Sequence, residues 1–406
     1  MIQQNRGSFN FKELSYLQSF LIVGSLIAIG FFLQFFVGAV NVTILKFPVN
    51  LIMLLLIIVL IVTGHFKHKN NSFVVWLSSA KAAISSIVGF SVISLLMGFV
   101  TQEESNNKLV QNFGLNNIAY NWAYIFSLFI LIITLGFATI KRIYPFKKRN
   151  FWYILNHLGL WITLTAANFG FPDQTHLRMN VSTSQFNNYA YNEHGSVFGL
   201  PFEIKQTDFK LINYNPKIAI MDSETSMNNI NKSTNTVEVT ENNSKRLKDW
   251  SILTTKYYPS AIKVGNNVIS LDTVGSAPAA FVQVENIITN EKTQGWICSG
   301  NELFDKTSIS LDASHTLVML FPQQKEMSLG IEIVENEVSK LKTISINSPQ
   351  NYDGWKMYIF SFSDKKGKWS NTSTIELIKE PWQPFVFFGL GMLIIGSFFV
   401  FWRGKK

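Results

Sequence analysis

Six apolar stretches, each near the length needed to cross a hydrocarbon core of roughly 30 Å, constrain this chain more than any other feature. They run over residues 16–38, 47–64, 82–100, 119–140, 151–170 and 384–402. A bilayer core offers no partner to a backbone amide, so segments of this kind read as helices, whose N–H and C=O groups pair internally. The second begins just after Pro48, whose fixed φ suits a helix start. Tyr120, Trp122 and Tyr124, and again Trp382 and Trp402, stand where rings gather at a membrane interface. The third contains Lys81, which is expected to snorkel. Composition points the same way: 15% of residues are charged, against about 25% in ordinary soluble domains.

The chain carries a formal charge of +9. Between Phe171 and Trp382 stand 20 basic and 23 acidic residues, so the surplus belongs entirely to the rest of the chain. Arg6 and Lys12 precede the first stretch, Lys67 and Lys69 follow the second, and Lys141, Arg142, Lys147, Lys148 and Arg149 follow the fourth. Arg403, Lys405 and Lys406 follow the last, whereas the alternate loops hold only Lys46 and "TQEESNNKLV" with its two glutamates. Because Lys and Arg favour the cytoplasmic side, both termini are predicted cytoplasmic and residues 171–382 extracytoplasmic. The expected location is the cell inner (cytoplasmic) membrane, multi-pass, with the large domain on the periplasmic side. The basic residues flank runs bathed in membrane lipid and form no soluble basic face, which excludes a nucleic-acid footprint. The first apolar run lacks a small-residue cleavage site and reads as a retained anchor.

The region 171–382 has a different texture. "TVEVTE", "AIKVGNNVISL", "AFVQVENIIT", "HTLVMLF", "LGIEIVE", "KTISI", "KMYIFSF" and "STIELI" alternate apolar and polar residues, broken by Gly, Asn, Asp and Pro. This is the pattern of antiparallel strands, and about 200 residues of it predict a sandwich-like domain or a pair of packed sheets. "SETSMNNINKSTNTVEVTENNSK" is polar and Asn-rich and reads as a mobile loop. The fold class expected is thus an α-helical membrane protein of about six transmembrane helices with a large β-rich extracytoplasmic domain between the last two. The expected domains are 1–170 (five helices), 171–382 (β-rich) and 383–406 (final helix and basic tail).

Several chemistries are missing. No GxxxxGK[ST], HExxH or GxSxG motif occurs. The single cysteine, Cys298 in "GWICSG", excludes an intramolecular disulfide and reads as a packed small hydrophobe. His176, His194 and His315 have no fixed-spacing partner, and His65 and His68 lie in a basic juxtamembrane loop. His157 differs because "NHLGLW" lies inside an apolar stretch, roughly 9 Å from its start at about 1.5 Å per residue. On a helix Tyr153, His157 and Trp161 share one face. A neutral imidazole between two large rings fits an axial haem-iron ligand with the rings covering porphyrin surface. The residue alone does not decide between this and an interhelical hydrogen bond, the more usual role, with Asn156 as a second polar link.

Five stretches together resemble the ResB/CcsB family, membrane subunits of System II cytochrome c biogenesis. "LSSAKAAISSIVGFSVISLLMGFVTQ" resembles an early span and its exit loop, and "NWAYIFSLFILIITLGFATIKR" the next span. "NHLGLW" is similar to the family's histidine-bearing span, and "LPFEIKQTDFKLINY" to the opening of its outer domain. "GWKMYIFSFSDKKGKWSNTSTIELIKEPWQPFVFFGLGMLIIGSFF" resembles the closing strands and final span. The likeness covers residues 76–402 and thins over 220–345. Two spans precede the family's usual start, and Glu380-Pro381 stands where Asp-Pro is expected.

The resemblance implies a subunit of a cytochrome c synthase (haem lyase) complex, not an enzyme by itself. It implies a CcsA-type partner bearing a "WWD" segment, apocytochrome c as the protein served, and transiently shared haem b as cofactor. It makes His157 the family's intramembrane haem ligand, while Tyr153 and Trp161 as haem-packing neighbours follow only from helix geometry. The competing expectation is a non-catalytic membrane anchor or transporter accessory protein with His157 as helix glue. An outward-facing sensor fits less well.

Overall fold

The protein is described by a computed structural model covering residues 11–103, 105–222, 236–265, 267–301, 304–363 and 366–403. The chain divides into two compact units, Met1–Gln174 with Glu380–Lys406, and Thr175–Lys379.

The first unit is helical: α1 (Tyr16–Val37), α2 (Val49–Lys67), α3 (Ser72–Leu77), α4 (Ala80–Phe99), α5 (Lys108–Asn112), α6 (Trp122–Ile143), α7 (Phe151–Gly170) and α8 (Gln383–Arg403). Five segments are long and apolar enough to cross a membrane: α1, α2, α4, α8 and the segment Lys108–Ile143 that ends in α6. This is the composition of a membrane protein. The expected sixth span, 151–170, is fully helical as α7 but falls outside this group, because Asn156, His157, Thr163, Thr165 and Asn168 dilute its apolar content. The helix starts follow ordinary capping chemistry. Ser15 and Gln18 form a capping box at α1, and Ser79 and Asn121 accept from the first-turn amides of α4 and α6. Lys81 donates from Nζ to the Leu14 carbonyl, so the snorkelling cation is tied to backbone.

Helix α6 is the most enclosed, touching α1, α2, α4 and α7. Its neighbours are joined to it by short polar links as well as by apolar packing around Ile132 and Phe137. Ser86 Oγ of α4 and Thr134 Oγ1 of α6 lie 2.9 Å apart, and Tyr124 OH donates to Asn168 Oδ1 of α7 at 2.7 Å. Such links are the usual glue where apolar surface alone does not distinguish helix from lipid.

Helices α7 and α8 meet backbone to backbone. A Cβ on Gly159 would lie 2.5 Å from Leu393 N, and one on Gly389 would lie 2.7 Å from Thr163 N. A Cβ on Gly396 would collide with the Asn156 backbone. The approach brings Asn156 Nδ2 within 2.6 Å of Ser397 Oγ and 3.3 Å of the Leu393 carbonyl, and stacks Trp152 on Phe399 at 3.9 Å. At the other end of the pair Asp173 gathers three donors. Its carboxylate accepts from Phe47 N, Asn50 Nδ2 and Trp382 Nε1, each at 2.7 Å, while Asn50 also donates to the Phe169 carbonyl.

The second unit holds three antiparallel sheets among the described residues, of eight, five and four strands. Each of the eight alternating runs quoted above overlaps a strand, at least over part of its length. The large sheet runs, in spatial order, Val338–Ser345, Gln324–Glu335, Val197–Asn213, Asn187–Tyr191, Thr175–Ser182, Thr372–Lys379, Trp355–Phe362 and Gln350–Tyr352. Phe202 and Tyr352 stand five strands apart in that order, which in a flat sheet means about 24 Å. Their ring centroids are 5.2 Å apart. The sheet therefore curls on itself, and its edges meet where Lys342 Nζ donates to the Asn351 carbonyl at 2.9 Å. Inward residues such as Phe202, Ile331, Met357 and Leu377 fill the interior, as an eight-stranded barrel allows. Two of its hairpins use primed turns, with positive φ at Asn336 and Glu337 and at Asp353 and Gly354.

The smaller sheets share a core in which Ile218, Leu317 and Met319 of the four-stranded sheet meet Trp250, Ile252 and Val284 of the five-stranded one. The unit is thus a curled sheet together with a packed pair, where a single sandwich was one expectation. Of the Asn-rich segment, residues 223–235 lie outside the described residues, while Thr236–Glu238 and Asn243–Leu247 are strands. Arg6, Lys405 and Lys406, counted above for orientation, also lie outside them.

If the α7 and α8 contact depends on absent side chains, Gly159→Leu should destabilise the purified protein by about 1–3 kcal/mol or more. Gly391→Ala, where an added Cβ meets nothing within 4 Å, should stay within about 0.5 kcal/mol of wild type. Thermal unfolding followed by tryptophan fluorescence checks both.

Candidate functional site: a basic-rimmed cleft at His157

Consecutive residues on a helix point about 100° apart, and α7 uses this to divide two polar side chains. Asn156 turns to α8, as described. His157 lines a cleft of about 910 Å³ bounded by α4, α6 and α7, within the roughly 300–1,000 Å³ of ligand sites. Its walls are apolar, with Ile84, Ile87, Phe90, Leu131 and Leu135 among them, and Tyr153 lines it one turn before His157.

The local geometry of the histidine is defined. Its ring stacks on Tyr153 with centroids 3.7 Å apart and planes 22° from parallel. Nδ1 lies 3.1 Å from the Tyr153 carbonyl, which only accepts, so in the neutral ring Nδ1 is the nitrogen that carries the proton. Nε2 then carries the lone pair, and no hydrogen bond occupies it among the described residues. This is the arrangement in which a metal-binding imidazole is held, one nitrogen anchored to a carbonyl and the other available.

Lys141, Arg142, Lys147 and Arg149 line the same cleft, at the end of α6 and in the loop that follows. Arg142 lies over the Tyr153 ring, its guanidinium carbon 5.2 Å from the centroid. An apolar slot with an open nitrogen donor and a rim of cations suits a flat, largely apolar ligand with anionic substituents. Sequence reasoning took these basic residues only as orientation signals. Their second use is readable only once the loop is folded back on α7.

Of the site residues expected from sequence, the structure brings His157 and Tyr153 together. Trp161 is not among the cleft-lining residues: its indole donates to the Ile132 carbonyl of α6 at 3.0 Å and packs over the space left by Gly136. It braces α7 against α6. The chain matches no protein-family model, and no curated protein matches it. The reading of the site therefore rests on its own geometry and on the resemblance in residues quoted above.

None of the other titratable candidates is among the residues that line this cleft. His315 Nδ1 lies 2.8 Å from Asp312 Oδ2, and the backbone amide of Ser314, with His315, holds the Asp312 carboxyl below the usual range. His176 lies on an outward strand position and His194 in an exposed turn. Cys298 is fully buried, with Sγ 3.3 Å from the donating Gly300 amide, and burial pushes its thiol up to about 11. A thiolate-directed reagent at pH 9 should consequently label Cys298 at least about tenfold more slowly in the folded protein than in denaturant, because reactivity follows the thiolate. Equal labelling rates, read by mass spectrometry, would contradict the buried placement.

Proposed function

We propose that the chain is a ResB/CcsB-type subunit of a cytochrome c haem-ligation complex, in which the cleft at His157 holds haem b on its way to apocytochrome c. The observation that carries the reading is the open Nε2 of a His157 whose Nδ1 is anchored, set in an apolar slot with a basic rim. Haem as cargo presents what this slot matches: an iron that takes an imidazole lone pair, an apolar macrocycle and two carboxylates. His157 would supply the axial nitrogen, Tyr153 a flat wall against the ring it stacks on, and Arg142 with Lys147 the partners for the carboxylates. Trp161 acts here through α6 and not by touching the cargo.

In this reading α1, α2, α4, α6, α7 and α8 cross the cytoplasmic membrane with both termini inside, and the β-rich unit lies on the extracytoplasmic side. The chain has no "WWD" segment, so a CcsA-type partner would provide the outer haem-handling surface and the second axial histidine. The residues of this chain bind and orient; bond formation to the apocytochrome thiols belongs to the assembled complex. The alternative, a membrane anchor or transporter accessory protein, accounts for Asn156, which does link α7 to α8. It leaves the open nitrogen and the basic rim without a use.

The test is an absorption spectrum of the complex purified from membranes, wild type beside His157→Ala, with and without imidazole. Bound haem should fall by about tenfold in the variant, the scale of a lost metal ligand, and return with imidazole. Tyr153→Phe, which keeps the stacked ring, should retain haem. Equal haem in wild type and His157→Ala overturns the proposal.

A further inference from the structure

The cleft at His157 holds more than haem accounts for. Two carboxylates would engage Arg142 and Lys147, yet Lys141 and Arg149 line the same rim. All four cations are exposed, and no acidic side chain lines the cleft among the described residues. Lys141 and Arg149 are thus left without a counter-ion in the site. The slot is also longer than an anchored histidine requires. On α7 its lining runs from Asn150 to Leu164, about 21 Å at about 1.5 Å per residue, and His157 stands only halfway along. On α4 it runs from Ala80 to Phe90, about 15 Å by the same rise.

Charge and apolar wall are segregated along that length. Lys141 and Arg142 end α6, Lys147 and Arg149 precede α7, and Ser78 and Ser79 precede α4, so every cation of the lining sits at one end. The starts of α4 and α7 at this rim favour an anion further. Away from the rim the walls are mainly Ile84, Ile87, Leu131, Leu135, Leu160 and Leu164. Ile84 and Ile87 are 42% and 49% exposed, so the slot is open along the flank of α4.

A small anion would use the rim and leave the slot empty, and a purely apolar molecule would leave the cations unmatched. An anionic head on a long apolar tail uses both. The depth along α4 is also that of one leaflet, half of a hydrocarbon core of roughly 30 Å, and basic pockets between transmembrane helices take anionic head groups. We propose that the cleft binds an anionic phospholipid, its phosphate held by Lys141 and Arg149 beside Arg142 and Lys147, with one acyl chain lying in the slot between α4 and α7. The inference rests on the length and charge of the cleft, not on the His157 nitrogen. Lipid and haem share Tyr153 and His157, so the lipid fills the cleft while haem is absent; that clause alone rests on the haem reading.

The test uses the full chain, delipidated in a neutral detergent without haem. Phosphatidylglycerol, phosphatidylcholine and inorganic phosphate are each titrated, with binding read by native mass spectrometry and by the thermal midpoint. One phosphatidylglycerol should bind saturably, at least about tenfold more tightly than phosphatidylcholine, and phosphate alone should do nothing. Lys141→Gln with Arg149→Gln should weaken phosphatidylglycerol by at least about tenfold, while Lys67→Gln with Lys69→Gln, basic residues outside the cleft lining, should leave it unchanged. Ala83→Trp, which fills the slot and spares the cations, should weaken it as much. His157→Ala should keep lipid binding within about twofold of wild type even where it abolishes haem, so the two readings fail separately. Equal binding of the two lipids overturns the proposal. So does stabilisation by phosphate alone, or a loss in the Lys67 and Lys69 variant that matches the loss in the Lys141 and Arg149 variant.

Discussion

The contact of α7 with α8 through Gly159, Gly389 and Gly396 is the constraint on which the helical unit turns. The two helices are separated in sequence by about 200 residues of β structure, so the chain must return and dock a helix across a long loop. Closure over such a length adds only slowly to the entropic cost, but the docked pair must then hold by its own packing. Side chains too small to keep the backbones apart provide that packing, supported by Asn156, by the Trp152 and Phe399 stack and by the Asp173 cluster. Once one face of α7 is committed to α8, the face carrying Tyr153 and His157 has no choice but the side toward α4 and α6.

That rotation explains the adjacency of asparagine and histidine in "NHLGLW". The two are not a pair. One is spent on helix association, and the other is left with a free nitrogen in a slot that apolar side chains would otherwise close. The Tyr153 carbonyl one turn earlier takes the Nδ1–H and fixes how the ring is turned.

Much of this is written locally in the chain. The apolar runs end within a few residues of the helices they predict, as 16–38 does against Tyr16–Val37, because length and apolarity are properties of the segment alone. The strands likewise follow the two-residue period, and the Tyr153 and His157 pair follows from four-residue spacing. What the sequence does not spell out are choices made by distant partners. Trp161 shares the helical face with His157, yet Gly136 on α6 makes room for its indole and the Ile132 carbonyl claims its N–H. Asn50, Asp173 and Trp382 form one cluster from three remote places, with no spacing to announce it. The period of two assigns each strand residue to a face but says nothing about curvature, so the closing of the large sheet on itself had to come from the edges that meet at Lys342 and Asn351.

The pairing of the first and last strands of the β-rich unit, Thr175 opposite Lys379 through Ser182 opposite Thr372, has a further meaning. Entry and exit of that unit lie one strand spacing apart, about 5 Å, and α7 and α8 likewise present their ends side by side. The chain therefore enters and leaves the β-rich unit through two neighbouring strand ends. A hairpin of this kind accepts, loses or exchanges such an insert without being pried open, which leaves the helical unit and the β-rich unit free to diversify at different rates within one chain.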